Sequence, residues 1–294
     1  MEKAMGIRRE DKNEWERRVP FIPEDLKEIR DQFGIRAVVQ PSDLRIYTDT
    51  EYTDCGIEVN EDLSGVNTII AVKEIPTELL AAGKTYIYFS HTIKGQEYNM
   101  EMLKTLMGLK CNLIDYERIV NEKNQRLIFF GAHAGYSGII ETLYAFAQKM
   151  NLKGIRSDLD QFKQAYEYSS LDDAKEQIKR IADAISQNGL PEELCPLVVG
   201  FAGYGNVSMG AQEIFDILPF ETITPDQLET LRSQKTTANR HLYKVIFKEE
   251  DMVQALSGQF DLQEYYDHPE RYTSKMERYL PHLDILVNCI YWTD

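Results

Sequence analysis

Cysteine is scarce. The 294 residues hold four, Cys55, Cys111, Cys195 and Cys289, spaced too widely for a zinc ribbon or a CxxC redox pair. That spacing predicts free thiols in a reducing compartment. Positive charge is in short supply too: 33 lysines and arginines face 48 aspartates and glutamates, for a net charge of −15. Such a field repels phosphate backbones and anionic lipid, which argues against nucleic-acid and membrane partners. Long apolar runs are missing as well. The longest uncharged stretch, residues 194–212, contains Pro196, four glycines, Asn206, Ser208 and Gln212, and no spanning helix is built that way. The opening MEKAMGIRREDKNEWERR lacks the apolar centre of a signal peptide. A cytoplasmic location is the expectation these absences support.

What remains is an ordinary globular composition, 43% hydrophobic and 28% charged, in a chain long enough for about two domains. Residues 37–40 (AVVQ), 68–72 (TIIAV), 85–90 (TYIYFS) and 112–115 (NLID) read as buried strands. Residues 23–33 and 95–107 have helical spacing with charged outer faces. Strands alternating with helices predict βαβ units and a largely parallel sheet. Residues 134–150 form a long amphipathic helix opened by small residues, and 151–193 is more polar, with a surface helix at 174–187. The expected organisation is a first domain over 1–150, a helical bridge over 151–193 and a second domain over 194–294.

The second half opens on an apolar strand at 196–202 (PLVVGFA), followed by Gly203-Tyr204-Gly205-Asn206-Val207 and a helix to Ile217. Residues 220–224 (FETIT) are the next strand, ended by Pro225. Strand, glycine turn, helix and strand in that order describe a dinucleotide site. Gly203 would allow the tight turn and Gly205 the close approach of a pyrophosphate to uncapped helix N–H groups. The motif is incomplete, since Ser208 stands where a third glycine is usual, and a structural turn without ligand is the competing reading. The acid that usually binds the ribose, about 20 residues on, would fall at Ile223 or Thr224. Neither is an acid, so the residues leave NAD against NADP open.

Functional side chains gather where first-half strands end: Arg8-Arg9-Glu10 with Glu16-Arg17-Arg18, then Lys73-Glu74, then His91 through Lys94. In parallel sheets those ends face the ligand crevice. Histidine titrates near neutrality, and lysine acts as a base where its surroundings favour the neutral amine. Arg18 and Arg126 suit bidentate carboxylate binding. The competing readings are a structural histidine, a surface Lys73–Glu74 pair and solvated arginines.

GIRREDKNEWERRVP, AVKEIP, YFSHTIKGQE, LIDYERIV and FAGYGNVSMGAQEIFDILP occur in this order, and together they resemble the lysine–ketoglutarate reductase domain of aminoadipic semialdehyde synthases. That domain groups with the lysine-forming saccharopine dehydrogenases and shares architecture with alanine dehydrogenase and transhydrogenase. The likeness continues through DHPERY and LVNCIYW and is weakest over 151–193. It implies two Rossmann-like parallel-sheet α/β domains flanking a cleft, acid–base groups on the first and nicotinamide on the second. The implied reaction condenses L-lysine with 2-oxoglutarate and reduces the imine to saccharopine. NADP is the implied cofactor, with NAD as the alternative. Lys73 resembles the family's general base and His91 its general acid. Arg18 and Arg126 resemble its carboxylate holders, Glu74 and Glu117 the acids that tune the pair, and Lys94 an accessory positive group. Gly203, Gly205, Asn206 and Val207 fall in its cofactor loop. Another amino-acid dehydrogenase of the alanine dehydrogenase type stays open, as does a non-catalytic dinucleotide-binding interaction protein.

Residues 243–247 (YKVIF) and 283–291 (LDILVNCIY) read as third and fourth strands after the glycine turn, in the order 3-2-1-4. A nucleotide-binding domain usually adds two more. The expectation is therefore a fragment, or a short member, with an open apolar edge at 285–290. Such an edge invites a missing C-terminal segment or a second copy of the chain.

Overall fold

The computed structural model describes residues 3–233 and 239–290. The chain divides into two compact units, Met1–Phe129 and Phe130–Asp294.

The first unit runs β1 (Ala4–Ile7), α1 (Pro23–Phe33), β2 (Arg36–Val39), α2 (Asp49–Asp54), β3 (Glu58–Val59) and β4 (Thr68–Ile70). It continues through β5 (Thr85–Tyr88), α3 (Glu97–Gly108) and β6 (Asn112–Asp115). Its six strands lie in the order β3-β2-β1-β4-β5-β6, all parallel. Successive residues of one strand feed opposite cores: Val38 and Ile69 pack with Tyr86, Tyr88 and Met102, while Val39 and Ile70 pack with Ile7, Leu26 and Tyr52. A sheet covered on both faces needs such near-continuous apolar runs. Helix α1 starts where Pro23 presets the backbone, carries Glu24 and Asp25 in its first turn, and ends on Gly34 at φ 62°. Strand β1 sits in the middle of the sheet, so the residues that follow β1, β4, β5 and β6 share one edge.

The second unit runs α4 (Gly131–Leu152), α5 (Leu171–Asn188), β7 (Val198–Ala202), α6 (Asn206–Phe215), β8 (Phe220–Ile223) and α7 (Leu228–Ser233). After β9 (Leu242–Phe247) and α8 (Glu249–Met252) come β10 (Val253–Ala255), α9 (Leu262–Asp267), β11 (Tyr272–Ser274) and β12 (Ile285–Asn288). Strands β10 and β11 form an antiparallel pair. The main sheet is parallel, in the order β12-β7-β9-β8.

That order corrects the expected 3-2-1-4, because β9 lies beside β7 and β8 lies outermost. Burial explains the exchange. Leu242, Val245 and Phe247 are wholly buried, as an inner strand requires, whereas Phe220, Glu221 and Thr222 are exposed. Among the described residues β12 has a single neighbour, β7. Tyr291, the expected end of that strand, lies outside the described residues.

Helix α4, expected to close the first domain, packs in the second unit. A Cβ on Gly135 would stand 2.1 Å from the Val207 carbonyl oxygen, and one on Gly210 would stand 2.2 Å from that of Ala132. Helices α4 and α6 thus touch backbone to backbone. Residues 151–193, expected as a bridge, also belong there: Leu159, Phe162, Ile178, Ile181 and Ile185 share a core with Val199 and Phe201. All four cysteines are free and half-buried.

Candidate functional site

The turn after β4 is held from outside. Glu10, buried beyond β1, accepts the N–H of Val72 at 2.6 Å and of Lys73 at 3.0 Å. Burial pushes its carboxyl above the ordinary value, against the pull of those two bonds. Glu16 is buried beside Lys73 and accepts Arg18 Nε at 2.7 Å. Desolvation would raise the Glu16 carboxyl, but the Arg18 bond and charge, helped by Lys73, hold it below the ordinary value. Glu74 accepts Lys12 Nζ at 2.5 Å. There too desolvation loses, and the carboxyl stays low, with His91 adding to the effect. The second oxygen of Glu74, Oε2, is buried with no hydrogen-bond partner among the described residues.

The turn after β5 places His91 at φ 54°, a left-handed conformation uncommon for a residue with a Cβ. Its ring stacks on Phe89, centroids 6.2 Å apart. Its Nδ1 lies 3.2 Å from Glu117 Oε2, a contact that orients an imidazole. Glu117 is buried and fixed in turn, since its N–H donates to Asp115 Oδ1 at 2.8 Å. Asp115 also accepts the Ser90 hydroxyl. Lys94 Nζ and Arg126 Nη1 each stand 3.4 Å from Glu117 Oε1. Glu117 therefore gathers His91, Lys94 and Arg126, Glu16 pairs with Arg18 within reach of the Lys73 charge, and Glu74 pairs with Lys12 within reach of the His91 charge.

Glu10, Glu16, Lys12 and Asp115 were given no role on sequence grounds. A signal was available for the first: an acid placed just after a short apolar run, at the strand end where bare N–H groups need an acceptor.

In the second unit β7 ends at Gly203, whose φ of 92° suits glycine. A Cβ there would meet Ile290 at 2.9 Å. A Cβ on Gly205 would meet nothing within 4 Å, so the chain leaves open space above that residue. Gly205 caps α6 without any side-chain hydrogen bond, and the N–H groups of Asn206 and Val207 begin the helix as an anion site requires. Ser208 is fully buried, so the small third residue packs where glycine is usual. A cavity of about 390 Å³ opens at this turn, lined by Gly203, Tyr204, Gly205, Glu249, Tyr266 and Cys289 among others. A glycine cradle, an uncapped helix start and adjoining space fit a dinucleotide.

Residues 6–137 match the family model described as alanine dehydrogenase/PNT, N-terminal domain. The chain is 38% identical to alpha-aminoadipic semialdehyde synthase of Arabidopsis thaliana, covering 98% of this chain and 29% of that protein. It is 37% identical to the mitochondrial alpha-aminoadipic semialdehyde synthase of Mus musculus, covering 98% and 31%. Saccharopine dehydrogenase (NAD(+), L-lysine-forming) of Yarrowia lipolytica is 28% identical over 66% of this chain and 53% of that one. The chain spans under a third of the length of the two synthases. A solved transhydrogenase from Sinorhizobium meliloti superposes with a TM-score of 0.51 at 15% identity, covering 98% of this chain and 69% of that one, a likeness of fold. No helix among the described residues is long and apolar enough to cross a membrane. Residues 6–137 are thus similar to the alanine dehydrogenase/PNT N-terminal domain, and 98% of the chain is similar to a part of the semialdehyde synthases.

Proposed function

We propose that this chain condenses L-lysine with 2-oxoglutarate and reduces the product to saccharopine. The reaction has three demands. The lysine ε-amine must lose a proton to attack the keto carbon, the carbinolamine must lose water, and the imine must be reduced. Lys73 is the base for the first step. His91 is the acid that protonates the departing hydroxyl, its ring oriented by Glu117 behind it. Arg18, pinned by Glu16, and Arg126, beside Glu117, offer guanidinium groups to substrate carboxylates. Glu74 and Glu117 tune the pair, and Glu74 Oε2 is an acceptor for the incoming amine. Lys94 adds positive charge where 2-oxoglutarate, a dianion, would approach.

The observation that carries this reading is the placement of Lys73 and His91 after neighbouring strands β4 and β5, each on a turn held by a buried acid. The names of the relatives agree with it. Gly203, Gly205, Asn206 and Val207 would hold the pyrophosphate of a nicotinamide dinucleotide, whose chemistry is hydride transfer. The test is oxidation of the reduced dinucleotide with lysine and 2-oxoglutarate supplied together. Turnover with both substrates and none with either alone is the expected result. Turnover with a 2-oxo acid and ammonia instead would favour an alanine dehydrogenase type of reaction.

A further inference from the structure

Counting along the chain from Gly203 puts the ribose-binding acid at Ile223 or Thr224. The sugar, however, follows the sheet rather than the count. In a dinucleotide site the acid stands at the carboxyl end of the strand beside the glycine-turn strand. Here that strand is β9, paired with β7 from Val198↔Tyr243 to Ala202↔Phe247. Strand β8, which carries Ile223, lies one place further out. The Gly203 N–H donates to the Phe247 carbonyl at 2.9 Å, tying the two strand ends together.

Two residues past Phe247 stands Glu249, half-buried and lining the same cavity as Gly203, Tyr204 and Gly205. Its Oε1 accepts the Tyr266 hydroxyl at 2.8 Å, and the Tyr204 hydroxyl also bonds to it. The carboxylate is thus steadied from two sides. No lysine or arginine is among the described residues lining the cavity. Lys275 donates to the Glu250 carbonyl at 2.6 Å and is not part of the wall.

We propose that Glu249 reads the ribose of the cofactor's adenosine half, accepting hydrogen bonds from its 2′- and 3′-hydroxyls, and that the chain selects NAD(H) over NADP(H). The proposal rests on the second unit binding a nicotinamide dinucleotide, as proposed above. A 2′-phosphate adds up to about two negative charges, and it would meet a carboxylate with no cation in the wall to offset it. A hydroxyl meets an acceptor.

The test is a fluorescence titration of the whole chain with NADH and with NADPH, alongside Glu249→Gln and Glu250→Gln. Wild type should bind NADH roughly tenfold or more tightly than NADPH, the size of one charge-assisted hydrogen bond. Glu249→Gln should bring the two within about threefold, since repulsion and the charged acceptor vanish together. Glu250→Gln, on an exposed neighbour outside the cavity, should keep the wild-type ratio. Glu249→Asp retains the charge and should still favour NADH, which keeps the test standing if the glutamine variant fails to fold. Equal or tighter NADPH binding in wild type, or an unchanged ratio in Glu249→Gln, overturns the assignment and leaves the dinucleotide reading intact. Failure of both dinucleotides to bind removes that reading, and the assignment with it.

Discussion

Around Lys73 and His91, Glu10, Glu16, Glu74 and Glu117 each hold a cation or a pair of backbone N–H groups. Around Gly203 and Gly205 the wall is glycine, tyrosine, a few apolar side chains and Cys289, with one carboxylate, Glu249. The two regions answer different demands. Proton transfer needs charged groups fixed in place, and a buried acid fixes them by tying several cations to one point. A dinucleotide needs backbone at close range and free N–H groups, so here side chains are removed rather than added. The means of rigidity differ accordingly. Ion pairs hold the first unit's turns, whereas direct backbone contact between α4 and α6 holds the helix behind the glycine turn.

Removing the acid–base pair should have the largest effect. Lys73→Met and His91→Gln are each expected to lower turnover by roughly 10²–10⁴-fold, the usual contribution of a positioned acid or base. Dinucleotide affinity should stay at the wild-type value in both. Steady-state rates together with a binding titration check this. Wild-type turnover would remove the catalytic roles, and a parallel loss of cofactor affinity would break the division of labour between the two regions.

Two glycines sharpen the comparison from the other side. At Gly205 added atoms meet open space, so Gly205→Val should leave thermal stability almost unchanged. It should weaken dinucleotide binding roughly a hundredfold or more, by displacing the phosphate from the helix N–H groups. At Gly210 the added atom meets the Ala132 backbone, and backbone cannot step aside. Gly210→Ala should therefore cost about 3 kcal/mol of stability, at the upper end for overpacking, read as a lower unfolding midpoint. Reversed results, a Gly205→Val chain that is unstable or a Gly210→Ala chain that is not, would show that the turn and the crossing had been given each other's jobs.

Most strands and the longer helices were legible in the sequence, because apolar runs such as TIIAV and VVGFA carry a strong local signal. Strand β1 was not, since AMGI is too short to stand out, although its neighbours make it central. The order of β8 and β9 was also hidden. It depends on which strand can be buried on both sides, and FETI shows its unsuitability only beside LYKVIF. The packing of α4 on α6 was hidden for a related reason, because Gly135 and Gly210 identify their contact only as a pair. At the site, the motifs led to Lys73, His91 and Glu117. Glu10 is a positioning acid whose only signal is its place after the short run that hid β1, and Glu16 is one whose partner lies two residues away, which no spacing rule singles out.

These two acids give the finest test, within the first unit itself. Glu16 is held below the ordinary carboxylate value once the Arg18 bond and charge overcome desolvation. Its contribution to stability is therefore present above the unfolded-state value and is lost as pH falls through the lower folded one. Glu10 is displaced upward by desolvation. Its contribution is present below the unfolded-state value and is lost as pH rises through the higher folded one. Urea unfolding midpoints should then respond to pH in opposite senses. Glu16→Gln should cost about 1 kcal/mol near neutrality, in keeping with a pair whose arginine is partly exposed, and the cost should shrink below about pH 4. Glu10→Gln should cost less at neutral pH than at about pH 4, near the ordinary carboxylate value. Parallel pH curves for the two variants would mean that burial and pairing do not separate these acids, and that the Lys73 turn is held by something other than Glu10.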